Sequence, residues 1–173
     1  LGSTIVIKKF VDKPLLGKGI SNHKILGEWL CGGASNAGAA ILLDFFNLEY
    51  IKELSQQINP YKSTGIELIP LSKKGERFPI DDPNLQPKLE PRPVSDSLYL
   101  HALLENLAKV EARCWNKLHE LGADLPKQII TIGGGAKNTT WKKIREKEIG
   151  IPIKTCNRPP AAGVASIALK ALL

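Results

Sequence analysis

Ile129-Ile130-Thr131-Ile132-Gly133-Gly134-Gly135-Ala136-Lys137-Asn138 is the stretch on which the fold turns. Four β-branched residues form an apolar run of the kind that makes a buried strand. Three glycines then end it, and a helical pattern begins at Thr139 or Thr140 and continues through Lys147. Glycines at such a turn carry no Cβ and let the backbone approach a ligand closely. The helix start behind them offers free amides and the positive end of a dipole to an anion. The same turn also serves as a tight connection with no ligand at all. It is not a dinucleotide fingerprint, because Asn138 stands where the third glycine is needed. Nor is it a Walker A loop, because no Gly-Lys-Ser/Thr follows.

Outward from this turn the chain alternates strand and helix. Ile151 to Thr155 reads as another strand, Pro159-Pro160 as a break, and Ala161 to Leu173 as a small-residue helix. Upstream, Leu100, Leu103, Leu104, Leu107, Val110, Cys114, Leu118 and Leu121 recur at helical spacing. That helix starts at Asp96 or Ser97 and stops at Gly122, a C-terminal cap position for glycine. Near the beginning, Thr4 to Val11 reads as a strand, Lys13 to Lys24 as a loop or hairpin, and Ile25 to Cys31 as a second strand. Ser35 or Asn36 is placed to cap a helix reaching Phe46, and Glu49 to Ile58 continues as another. Residues 60–97 carry prolines at 60, 70, 79, 83, 87, 91 and 93 and form a long loop with one strand, Ile66 to Leu71. Strands alternating with helices define an α/β domain. No internal repeat or low-complexity segment is present.

Composition sets the outer bounds. The chain has 173 residues, 43% hydrophobic and 24% charged, which is globular and large enough for one core. The longest apolar run, Ala37 to Phe46, contains Asp44 and is too short to span a bilayer, so no membrane partner is expected. No Met occurs and the chain opens on Leu-Gly-Ser-Thr, which points to a piece of a longer protein. Cys31, Cys114 and Cys156 form no paired spacing, as expected in a reducing compartment: the cytoplasm, or a plastid in a plant. The net charge of +7 is spread over short runs, too dispersed for a nucleic-acid surface.

Other segments carry weaker signals. Gly2-Ser3-Thr4 offers two hydroxyls and a glycine amide to a phosphate, and equally makes a plain turn. Gly32-Gly33-Ala34-Ser35-Asn36-Ala37-Gly38 permits close packing or ligand approach, with packing the simpler role. In Gly75-Glu76-Arg77-Phe78-Pro79 the adjacent Glu and Arg either pair and stiffen the loop, which is the simpler role, or take part in catalysis. His23, His101 and His119 are far apart, no Cys/His spacing fits zinc, and no G-x-S-x-G elbow occurs.

In order, Gly2 to Thr4, Gly33 to Gly38, Gly75 to Pro79, Leu98 to Leu121, Gly133 to Asn138 and Ala161 to Ala165 resemble the segments of the FGGY carbohydrate kinases. The likeness covers nearly the whole chain and is strongest to plant-type and cyanobacterial kinases related to xylulose and ribulose kinases. It implies an actin-like, ribonuclease H-like α/β domain, residues 1–173, the C-terminal domain of a two-domain sugar kinase. It further implies that Gly134, Gly135, Ala136 and Asn138 line a nucleotide site, that Gly2, Ser3 and Thr4 approach the phosphates, and that Trp141 flanks the adenine or packs in the core.

The family's catalytic Asp precedes the Gly-Ser-Thr turn. The resemblance therefore places the base, with the sugar-binding domain, upstream of Leu1, and no catalytic residue or metal ligand within the chain. Pro159-Pro160 departs from the family, whose members often carry acidic residues there. The cofactors implied are ATP and Mg2+, the partners ATP or ADP and a sugar met through the other domain, and a homodimer is compatible. The activity implied for the intact protein is transfer of the ATP γ-phosphoryl to a ketopentose such as D-ribulose or D-xylulose, or to a related polyol. A non-catalytic nucleotide-binding or assembly module on the same fold is the alternative.

Overall fold

The computed structural model describes residues 2–172. Its first layer is a three-stranded antiparallel sheet of β1 (Val6–Val11), β2 (Ile20–Ile25) and β3 (Glu28–Ala34), in the order β1-β3-β2. β2 and β3 are joined by a two-residue turn, Leu26-Gly27, with φ of 50° and 87°. Two left-handed residues are what a tight hairpin needs to match the twist of its strands. The sequence reading of 13–24 as loop or hairpin thus resolves into a loop and then β2, the first arm of a hairpin, with the strand Ile25 to Cys31 shifted to Glu28–Ala34.

The second layer is helical. α1 (Ala40–Leu43) is a single turn, and α2 (Leu48–Gln56) follows an Asn47 cap that accepts from the Tyr50 amide at 2.8 Å. α3 (Asp96–Glu120) runs through the centre behind its Ser95 cap. Leu100, Leu103, Leu104 and Leu107 on it are fully buried. Each such side chain contributes about 1.5–3 kcal/mol of apolar burial, which is why this helix is the axis of the core. β4 (Ile129–Thr131), α4 (Thr139–Ile149) and β5 (Ile153–Thr155) form a β-α-β unit with β4 and β5 parallel. α4 packs on α3 through Trp141, whose indole nitrogen donates to the Leu104 carbonyl at 3.1 Å. α5 (Pro160–Leu172) closes the chain, with Val164, Ile167 and Leu169 exposed.

The helix expected from Ser35 to Phe46 is shorter than its pattern suggests. Ser35 is 0% exposed and donates its hydroxyl to the Glu76 carboxylate at 2.6 Å. The same carboxylate accepts from the amides of Asn36, Arg77 and Phe78. The Ser35 hydroxyl also accepts from the Ala37 amide at 2.9 Å, but helix α1 starts only at Ala40 and β3 extends through Ala34. Glu76 is a buried clamp for backbone amides, and its expected pairing with Arg77 does not form; Arg77 lies on the surface.

Residues 60–97 contain only isolated antiparallel bridges, Ile69 with Lys88 and Glu76 with Asp82, so the expected strand Ile66 to Leu71 shrinks to one contact. The segment is nonetheless tied down along its length. Glu105 accepts from the Thr64 hydroxyl and amide, and Asn106 donates to the Ile66 carbonyl. Burial pushes the Glu105 carboxyl up, but bonds from Thr64 and Ser63 and the nearby Lys109 outweigh it and hold it below its ordinary value. At the far end, the Arg92 guanidinium lies 5.1 Å from the Tyr99 ring centre and within 6 Å of Phe45 and Phe46, bonded to Asp96.

One buried ion pair crosses the helical layer into the β-α-β unit. Arg145 on α4 donates Nε and Nη2 to Glu111 on α3 at 2.6 and 2.8 Å, and Nη1 to Thr131 at 3.1 Å. Both charges are nearly sealed from solvent. Arg145→Met should cost about 3–5 kcal/mol in urea unfolding, because Glu111 is left buried and unpaired. Glu111→Leu with Arg145→Met should recover most of that loss. A single-variant cost below about 1 kcal/mol would remove the pair from any structural role.

Candidate nucleotide site

The site is built where Gly2 and Ser3 meet the turn from Gly134 to Trp141. Ala39 donates its amide to the Gly2 carbonyl at 3.1 Å, and Ile5 donates to Ala37 at 2.7 Å. These bonds lay the Gly2-Ser3 turn along the lead into α1. Gly38 makes this possible, since a Cβ there would collide with the Ser3 carbonyl and the Thr4 backbone. The glycines at 33 and 38 are thus packing devices: Gly33 lies against the buried Phe78 ring. Across from this turn, Gly133 with φ of 94° reverses the chain after β4, and a tight helical turn, Gly134–Lys137, leads into α4.

Between them opens a cavity of about 720 Å³, within the usual size range of ligand pockets. Gly2 and Ser3 form one side, and Gly134, Gly135 and Asn138 the facing side. The floor is apolar, from Leu42, Leu43, Leu48 and Ile51, with Leu43 and Leu48 more than half exposed at the rim. Lys52 and Lys137 also line it, and no Asp or Glu does. Two ammonium groups with no carboxylate among the described lining residues favour an anionic ligand. A second cavity, under the Pro-rich segment beside Lys109 and Arg113, holds about 140 Å³, too little for a nucleotide.

Of the residues singled out in the sequence, Gly2, Ser3, Gly134, Gly135, Asn138 and Trp141 line this one cavity, whereas Thr4 and Ala136 do not. Ala136 is buried behind the turn, and Thr4 is turned toward Gly38. Trp141 is 1% exposed, so its ring belongs to the core wall and offers no open face for stacking. Both ends of the Asn138 carboxamide are engaged: Oδ1 accepts from the Trp141 amide at 2.9 Å as the cap of α4, and Nδ2 donates to Ser55 at 2.8 Å. The sequence reading missed the contribution of α2, namely Lys52, Ser55 and Gln56. The available sign was Ser55, a hydroxyl in the buried stripe with Ile51 and Leu54. Among the described residues no cluster of His, Cys, Asp and Glu is arranged to hold a metal ion, and no helix is long and apolar enough to cross a membrane.

Comparison with solved structures defines the fold class. No protein-family model matches the sequence. The chain superposes on a xylulose kinase from Bifidobacterium adolescentis with a TM-score of 0.78 and 21% identity, over 99% of this chain and 36% of that one. A ligand-bound xylulose kinase from Lactobacillus acidophilus gives 0.79 and 19%, over 99% and 37%. A gluconate kinase from Lactobacillus acidophilus gives 0.75 and 17%, over 97% and 36%. The fold is therefore the mixed α/β, actin-like ATPase fold of sugar kinase domains. The chain spans less than two-fifths of the length of each of these kinases.

Gly134 provides a direct probe of the cavity. A Cβ built there meets no atom within 4 Å, and its backbone lies outside the left-handed region. Gly134→Val should therefore fold with a stability change near the ~0.5 kcal/mol of ordinary surface substitutions. Its branched side chain should project into the cavity and weaken adenine nucleotide binding at least about tenfold, which is about 1.4 kcal/mol. Denaturation and calorimetry on the same samples separate the two effects; a variant that unfolds would make the glycine structural.

Proposed function

We propose that this chain is the nucleotide-binding, C-terminal part of a carbohydrate kinase of the FGGY family. The intact protein transfers the γ-phosphoryl of Mg-ATP to a hydroxyl of a ketopentose, D-xylulose or D-ribulose, or a related polyol. The observation that carries this reading is the convergence of Gly2-Ser3 and Gly134-Gly135 on one cavity lined by two lysines and an apolar floor. Polyphosphate suits the glycine turns and the lysines, and a purine suits the leucine floor. The likeness to xylulose kinases supports the sugar class, and the gluconate kinase keeps open the neighbouring polyols.

Phosphoryl transfer needs positioning and charge stabilisation more than covalent chemistry. Gly134 leaves open space where a side chain would otherwise stand, so the backbone itself forms the wall against the phosphates. Mg2+ bound to the nucleotide would supply neutralisation of phosphate charge; no His, Cys, Asp or Glu cluster among the described residues is arranged to hold it. The proton of the sugar hydroxyl needs a base, and no described carboxylate lines the cavity. In this reading the base and the sugar contacts come from residues before Leu1. General-base assistance is worth about 10²- to 10⁴-fold, and holding the acceptor in line is worth roughly 7–11 kcal/mol in well-oriented cases.

Two outcomes are expected. The folded 173-residue chain binds ATP or ADP weakly in calorimetry, and silence at millimolar nucleotide would sink the reading. In an ATP-to-ADP coupled assay on D-ribulose, D-xylulose and glycerol, this chain alone shows no sugar-dependent turnover, whereas the full-length protein does. Turnover by the chain alone would place the base within it. No turnover by the full-length protein on any polyol would favour a non-catalytic nucleotide module.

A further inference from the structure

Ser55 sits on α2, and the cavity's opposite wall is the Gly134–Asn138 turn and the start of α4, more than eighty residues later in the chain. Ser55 is 6% exposed and is the point at which these walls are joined. Its hydroxyl donates to the Ile51 carbonyl at 2.6 Å, which fixes the direction of its lone pairs. Asn138 Nδ2 donates into one of them at 2.8 Å. The Ser55 carbonyl also accepts from the Thr140 hydroxyl at 2.9 Å. Meanwhile Asn138 Oδ1 is held by the Trp141 amide. Every one of these bonds joins groups next to the cavity without using a ligand.

We propose that Ser55 is a positioning residue for the base-binding end of the cavity, acting through Asn138. This rests on the nucleotide reading above. By holding the Asn138 carboxamide against α2, Ser55 sets the spacing between the apolar Leu48–Ile51 wall and the start of α4. A flat base between those walls depends on that spacing. Phosphates beside Gly2-Ser3 depend on it less, because the Gly2 carbonyl is fixed independently by the Ala39 amide. Ser55 therefore contributes more to affinity for the nucleoside part than for the polyphosphate part.

The test is calorimetry on the full-length protein with ADP, adenosine and inorganic tripolyphosphate as separate probes. Ser55→Ala removes the acceptor. Asn138→Ser removes the Nδ2 donor, adds no charge and keeps an oxygen to cap α4, so the helix start survives. One lost hydrogen bond sets the expected size of the effect, about threefold to tenfold. Each variant should lose that factor for ADP and adenosine and lose less for tripolyphosphate. The double variant should lose no more than either single one, because the same bond is broken in all three. Parent-like ADP binding by Ser55→Ala overturns the role of Ser55 and leaves the nucleotide reading standing. Equal loss on tripolyphosphate, or multiplicative losses in the double variant, also overturns it. A parent protein that binds none of the probes overturns both readings.

Discussion

The contact between Arg145 and Glu111 is the constraint on which the site depends. A charged pair sealed from water is costly to bury and survives only when its hydrogen-bonding capacity is used. Here the guanidinium uses Nε and Nη2 on Glu111 and Nη1 on Thr131. This fixes α4 against α3 and fixes both against the last residue of β4. Two residues after Thr131 the chain reaches Gly133, where it turns back on itself with positive φ. The glycine turn therefore hangs from a strand whose end is held by a planar, directional group. A purely apolar contact at Thr131 would pack the strand without fixing its rotation.

The other wall of the cavity is held by a second buried carboxylate. Glu76 gathers the Ser35 hydroxyl and three backbone amides, and so joins the end of β3 to the Pro-rich segment. From that joint the chain passes through Ala37 and Gly38, where β1's lead-in and the Gly2-Ser3 turn press against it. The two walls thus come from distant parts of the chain and rest on two different buried anions. Each anion is satisfied by protein groups, which leaves the lysines at the cavity without an internal partner of opposite charge lining it. The fold spends its buried carboxylates on architecture and leaves the cavity electropositive.

The sequence was legible where local physics decides the outcome. α3 follows from leucines at helical spacing, and the β4-glycine-α4 passage follows from β-branched residues running into Gly133. It was less legible where a distant residue competes. Ser35 reads as a helix cap, but Glu76, forty-one positions later, ties it to the Pro-rich segment, and the helix starts only at Ala40. β2, Ile-Ser-Asn-His-Lys-Ile, lacks a clean apolar alternation and becomes a strand because β3 offers it an edge. The site divides in the same way. The glycines announce a close backbone approach, but nothing local marks Lys52 as a cavity residue, and Ser55 is marked only by being a hydroxyl in the apolar stripe of α2; their role exists only once α2 lies against α4. Asn138 illustrates the remaining difficulty. Its place in the motif was visible, but its partners were not, and those partners make it a brace between helices.

The exposed apolar surface fits the same division of labour. Val6 and Phe10 on β1, Ile130 and Ile132 around β4, and Val164, Ile167 and Leu169 on α5 all face solvent. Isolated exposed apolar side chains are ordinary, but this set falls on two sheets and a helix that surround the chain's opening and closing segments. The core around α3, by contrast, is sealed by the Pro-rich segment and by Arg92 over its aromatic neighbours. The Gly133 turn follows two residues after Thr131, which Arg145 ties to α3 through Glu111. A ligand held there would contact backbone fixed by the core from behind, which is the arrangement that lets a phosphate be positioned without any side chain moving to meet it.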